Sequence, residues 1–183
     1  QVFIELADLI ESCNELTSIS LHAINTESKY CKVSFNALFP AITAIRNNII
    51  IKNIAIGGVN CKGTLSKELQ EELVYMLSDH LFSIALSNVD FTEEYLESFL
   101  ERIAELKKMK MLLFEPPEDY NLDLKNFCMS KFTEHLNDTD NIEMIYFTGF
   151  DDCSQELLIN CSNTLRKKGI VKNVIVDRPF KEA

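Results

Sequence analysis

The chain has few of the residues that punctuate all-β folds: its 183 residues include only five Gly and four Pro. Sandwiches and barrels need many tight turns, so that scarcity weighs against both. Positive charge is also short, with 18 Lys+Arg against 28 Asp+Glu and a formal net charge of −10. Such a chain repels a phosphate backbone, and no basic patch offsets this, so nucleic acid is not an expected partner. No apolar run approaches the roughly 20 residues that span a bilayer, so no membrane partner is expected either. The opening residues, QVFIELADLIESC, are acidic and periodic, unlike a signal peptide. Gln1 stands where an initiator Met would be, which suggests a piece of a longer chain or a processed form.

The six cysteines (Cys13, Cys31, Cys61, Cys128, Cys153 and Cys161) form no CxxC pair or other tight cluster. Most sit at apolar-periodic positions, which predicts buried free thiols in a reducing cytosol. Asn137-Asp138-Thr139 and Asn160-Cys161-Ser162 match the glycosylation pattern, but matches this short arise by chance.

What the chain does have is a globular balance, 46% hydrophobic and 25% charged, enough for a single domain over 1–183 with a real core. It also has an internal period. The pattern apolar-x-x-apolar-x-apolar recurs six times: Leu16, Ile19, Leu21; Ile51, Ile54, Ile56; Leu81, Ile84, Leu86; Met109, Leu112, Phe114; Ile142, Ile145, Phe147; and Val171, Val174, Val176. The starting positions differ by 35, 30, 28, 33 and 29 residues. Between them lie amphipathic helix patterns. One has Leu96, Phe99, Leu100, Ile103 and Ala104 as its stripe, Thr92 as candidate cap and Glu93 and Glu94 in its first turn. Others run through Leu69, Leu73, Met76 and Leu77 after Ser66, through Leu124, Phe127, Cys128, Phe132 and Leu136, and through Leu158, Cys161 and Leu165. Pro40 belongs in the opening turn of its helix or breaks it. The stretch from Asn25 to Lys32 reads as an extended loop, and Gly57-Gly58 as a strand-end turn.

Strand and helix therefore alternate with a period near 30 residues. A doubly wound sheet buries both faces of each strand, so its strands read as unbroken apolar runs. Here Ser18, Ser20 and His22 interleave with Ile19 and Leu21, and Ser83, Ala85 and Ser87 with Ile84 and Leu86. One open face favours a right-handed βα solenoid, an α/β horseshoe with a parallel sheet on the concave face and helices on the convex face.

The pattern resembles the ribonuclease-inhibitor-like class of leucine-rich repeats, whose units hold one strand and one full helix in about 28–29 residues. About six degenerate units cover nearly the whole chain. The usual Asn/Cys after each strand survives only loosely, as Asn60-Cys61 and as Asp90, Asp119 and Asp151-Asp152 in related places. Within the class, LFSIALSNVDFTEEYLESFLERI and NIEMIYFTGFDDCSQELL are similar to the C-terminal repeats of nucleotide-binding leucine-rich-repeat immune sensors. That resemblance implies a cytoplasmic protein of innate immunity whose repeats bind a partner or hold a neighbouring domain inactive.

No chemistry-bearing motif competes with this reading. No Gly-rich phosphate loop follows a strand, and His22, His80 and His135 lie far apart with no metal-ligand spacing, so no cofactor and no metal are expected. Cys153 follows Asp151-Asp152, whose charge opposes a thiolate. Asp138 and Asp140 lack the rest of a calcium loop. No nucleophile has an identifiable base and orienter, so no enzyme is expected.

The positive feature is the concave face. Residues alternating with the core are small and polar over the first strands, and include Asn53, Ala55 and Gly57. The later strands bring Met111, Leu113 and Glu115; Met144, Tyr146 and Thr148; and Asn173, Ile175 and Asp177. Met111, Leu113, Met144, Tyr146 and Ile175, edged by Glu115 and Asp177, have the composition of a protein-binding surface. The same patch could instead pack under a neighbouring domain or a terminal cap, or be a plain solvated surface. Pro116-Pro117 could overhang its rim or serve as a rigid connector. Two rival functions remain. The substrate-recognition repeats of a ubiquitin-ligase adaptor predict an F-box-like helical segment upstream. A compact α/β enzyme predicts permuted strands and a polar crevice at their ends.

Overall fold

The computed structural model describes residues 2–24, 35–59, 65–117, 119–136, 141–166 and 173–176. Six strands form one parallel sheet: β1 (Ser18–Ile24), β2 (Asn53–Val59), β3 (Ser83–Ser87), β4 (Met111–Glu115), β5 (Met144–Phe147) and β6 (Asn173–Val176). Their spatial order is their chain order, with no strand permuted, which removes the shuffled sheet of the enzyme alternative. Six helices separate and precede them: α1 (Val2–Ser12), α2 (Phe39–Asn47), α3 (Lys67–Tyr75), α4 (Glu93–Glu105), α5 (Leu122–Leu136) and α6 (Gln155–Arg166). Each helix packs on the next, so the molecule is a βα solenoid with strands on one side and helices on the other.

The register is the sequence period made visible. Ile19, Ile54, Ile84, Leu112, Ile145 and Val174 stand side by side, as do Leu21, Ile56, Leu86, Phe114, Phe147 and Val176. From Ile54 to Ile145 and from Leu21 to Phe147 these two rows are buried under the helices. Each such side chain contributes about 1.5–3 kcal/mol by leaving water. The ladder extends one position before the strands: Lys52, Phe82, Lys110 and Glu143 each donate their N–H to the carbonyl of the equivalent residue one unit earlier, at 2.7–2.9 Å.

The helices form where the stripes predict. Leu96, Phe99, Leu100 and Ile103 are buried, as are Leu158, Cys161 and Leu165. Ser66 caps α3 by accepting the Leu69 N–H at 3.3 Å. Thr92 is the N-cap residue of α4, but its side chain makes no capping bond. Pro40 lies in the first turn of α2, where its missing N–H costs nothing. Asn48 joins the first two units: its amide donates to the Ile10 and Cys13 carbonyls at 2.7 and 3.1 Å and accepts the Ile50 N–H.

One local reading is corrected. Gly57 and Gly58 are not a strand-end turn but lie inside β2. A Cβ on Gly57 would stand 2.6 Å from Nδ1 of His22 on the neighbouring strand, so the missing side chain makes room for that ring. The Asn25–Lys32 loop, the Asn60-Cys61 pair and the Asp138/Asp140 turn lie outside the described residues.

Candidate functional site

The face opposite the helices carries the residues that alternate with the core. They form three rows. The first runs Ser18, Asn53, Ser83, Met111, Met144, and the second runs Ser20, Ala55, Ala85, Leu113, Tyr146. The third runs His22, Gly57, Ser87, Glu115. Met111, Leu113, Glu115, Met144, Tyr146 and Thr148 are each half-buried, a surface neither sealed nor fully solvated. The structure therefore brings the apolar residues expected at the site into adjacent register. Ile175 pairs with Tyr146 in the ladder, and Asp177 lies outside the described residues. Thr148 follows the end of β5 and donates its N–H to the Phe114 carbonyl at 3.1 Å.

The composition gradient along the sheet has a steric result that the residue types alone did not show. Over the first strands the small side chains leave a hollow of about 390 Å³, lined by Ser18, Ser20, Asn53, Ala55, Ser83 and Ala85 and walled by Met111, with Ile19 and Ile54 also lining it. Its polar side chains bond to one another: Ser83 O–H donates to Asn53 Oδ1 at 2.8 Å, and the Asn53 amide donates to Ser18 Oγ at 3.0 Å. The apolar patch forms the ground beside it. The signal for the hollow was present in the row Ser-Asn-Ser over Ser-Ala-Ala. Only the in-phase register turns these six short side chains into a hollow.

The rim past the strand ends is acidic but partly neutralised. Ser87 donates to the Glu115 carboxylate. The Tyr120 hydroxyl lies 3.0 Å from Asp90 and 3.1 Å from the Phe91 carbonyl, and burial, reinforced by Asp90, pushes its pKa well above the ordinary tyrosine range. Lys125 meets Asp152 at 2.9 Å. Pro116 and Pro117 are buried, with Pro116 against the positive-φ Gly149, so this loop is a packed connector and not an overhang.

Ser20 Oγ and His22 Nε2 are 2.9 Å apart on the open face, and Ser20 is the ring's hydrogen-bond partner among the described residues. Burial holds the Cys153 thiol above its usual range, with Asp152 adding to the effect, and pushes Cys128 up to about 12. Among the described residues no group of three His, Cys, Asp or Glu could hold a metal, and no helix is long and apolar enough to cross a membrane.

No protein-family profile matches the chain, and no curated protein matches it. Among solved structures it is similar to the tropomodulin C-terminal domain of Caenorhabditis elegans, with a TM-score of 0.64 and 13% identity over 92% of this chain and 94% of that one. At that identity the likeness is one of fold, and the fold is a leucine-rich-repeat-like βα solenoid.

Proposed function

We propose that the chain is a protein-recognition module that holds a protein partner, or a neighbouring domain, on its open strand face. One observation carries the reading: Met111, Leu113, Met144 and Tyr146 form a contiguous, half-exposed apolar patch beside a hollow that can accept an inserted side chain. Interfaces favour Met and Tyr because they offer large contact area, and an anchor seated in a pocket supplies most of the binding energy. The leucine-rich-repeat-like fold supports this use, since its sheet presents backbone-held side chains in fixed rows. The immune-sensor resemblance extends it to a cytoplasmic protein whose repeats restrain a neighbouring domain. The raised pKa of the buried Cys128 and Cys153 thiols favours binding over thiol catalysis.

The test is a paired measurement of capture and folding. Leu113→Glu with Tyr146→Glu places two carboxylates on the patch while leaving the core rows intact. Crosslinked partners of the wild-type chain should fall by about tenfold or more in the double variant, with circular dichroism and melting close to wild type. Undiminished capture by a folded double variant removes this surface from consideration.

A further inference from the structure

The turns that lead into β2, β3 and β4 lie along one edge of the solenoid. Lys52, Phe82 and Lys110 hold the same place in consecutive units: the Phe82 N–H donates to the Lys52 carbonyl at 2.7 Å, and the Lys110 N–H to the Phe82 carbonyl at 2.8 Å. Their backbones therefore stand about 4.8 Å apart, the spacing of paired strands. The residues before them stack as well. The His80 ring bonds to the Asn48 carbonyl, and Lys108 stands near enough to oppose protonation of that ring. These turns belong to the middle of the chain, with a described unit on either side.

This edge carries unpaired positive charge. Arg46, Lys67, Arg102, Lys110, Lys125 and Lys131 each meet a carboxylate. Lys52, Lys107 and Lys108 are exposed and make no ion pair. Asp79 and Glu143, on the same edge, are already answered: Asp79 lies 3.9 Å from Arg102, and Glu143 lies 3.2 Å from Lys110. Apolar surface stands among the lysines. Phe82 is 49% exposed, and Ile49, in the turn before β2, is 74% exposed. No single segment of the sequence announces this patch, because Lys52 and Lys107 belong to different units and only the stacking of the turns brings them to one edge.

We propose that this edge binds an acidic segment of a partner protein that carries a bulky apolar side chain between its carboxylates. The carboxylates meet Lys52, Lys107 and Lys108, and the apolar side chain packs on Phe82 and Ile49. Alternate residues of an extended segment face one way, so the order Glu-x-Leu-x-Glu presents all three groups to the edge together. The surface is distinct from the open-face patch and does not depend on it. A longer anion fits less well. The chain has a formal net charge of −10, and an anionic bilayer or a phosphate polymer would extend past the lysines onto repelling surface. A short segment responds mainly to charges within about 8 Å.

The probe is the fluorescent peptide Glu-Ser-Leu-Ser-Glu-Ser-Leu-Ser-Glu, titrated by anisotropy. Two control peptides replace every Glu with Lys, or every Leu with Ser. The Glu peptide should saturate and weaken with added salt, and each control should bind about tenfold or more weakly. Lys52→Glu combined with Lys108→Glu should cause a similar loss, and Phe82→Ser a loss of about fivefold or more, each with wild-type circular dichroism. Lys67→Glu makes the same kind of charge change at the start of α3, where Lys67 pairs with Glu71, and should keep binding. If Phe82→Ser does not fold, the Ser-for-Leu peptide tests the apolar contact without it. No binding of the Glu peptide, equal binding of either control, undiminished binding by the folded double variant or an equal loss in Lys67→Glu overturns the proposal. Cosedimentation with phosphatidylserine vesicles that the double variant abolishes, without peptide binding, assigns the edge to a membrane and overturns it too. A dimer in sedimentation that the double variant dissolves assigns the edge to a second copy, with the same result.

Discussion

Over β1, β2 and β3 the middle row of the open face reads Ser20, Ala55, Ala85; over β4 and β5 it reads Leu113, Tyr146. Beneath the sheet the change runs the same way. Leu21, Ile56 and Leu86 give way to Phe114 and Phe147, which join Phe132 and Phe150 in a ring cluster with centroids 4.7–6.3 Å apart. The helices lengthen too: α2 and α3 have nine residues each, against 13, 15 and 12 in α4, α5 and α6. A longer helix covers more of the sheet, and beneath it rings fill the space that aliphatic residues fill in the first half. The first half has directed polar contacts of its own: the Ser83–Asn53–Ser18 chain across the strands, Asn48 bridging α1 to the next turn, and the buried Glu72 carboxylate paired with Arg46 at 2.9 Å. One register thus supports two regimes, a hollow among small side chains over an aliphatic core and an apolar patch over an aromatic one.

The largest effect should separate the two cores. Phe147→Ala removes a fully buried ring from the cluster and should cost about 3–5 kcal/mol, whereas Ile56→Ala should fall toward the lower end of about 2–5 kcal/mol. Urea unfolding of both variants measures this. An equal or larger loss at Ile56 would mean that the aromatic half does not carry the greater share of the core.

A smaller effect probes the polar half. Gly57→Ala places a Cβ against the His22 ring and should destabilise by about 1 kcal/mol, because an exposed imidazole can swing away at the cost of its bond to Ser20. In the His22→Ala background the same change should cost less. A double-mutant cycle with no coupling would show that the ring does not require the glycine.

The order of the strands was legible because each unit repeats apolar-x-x-apolar-x-apolar, and a period-two face pattern fixes register once strands lie in chain order. Leu112 buried beside half-buried Leu113 shows how far that pattern reaches: the two residues are chemically identical, and their phase alone assigns one to the core and one to the site. The placement of Met111, Leu113, Met144 and Tyr146 together on the open face was legible for the same reason. The hollow was not, because a cavity depends on the joint length of side chains on three strands. Gly57 also misled, since a Gly-Gly pair signals a turn locally and the His22 ring that needs the space belongs to a strand 35 residues earlier, as the pairing of His22 with Gly57 shows. Local preference was overridden by a neighbour that is distant in sequence.

The smallest expected effect concerns the turns that lead into the strands. His80 precedes β3 where Lys108 precedes β4, so only the earlier turn titrates in the histidine range. Burial holds the His80 pKa below its ordinary value, with Lys108 acting the same way and the Asn48 carbonyl and Asp79 opposing. The unfolded chain therefore takes up a proton near the ordinary histidine pKa, while the folded chain takes it up only at lower pH. Between those points the unfolded state holds more protons, so stability rises with pH and is lost as pH falls through this window. Urea unfolding from about pH 7.5 to about pH 5 should show this slope in the wild type and a flatter one in His80→Asn. Parallel curves would mean that the turn before β3 responds to acid no more than the turn before β4, and the two halves would then differ in packing but not in their response to protons.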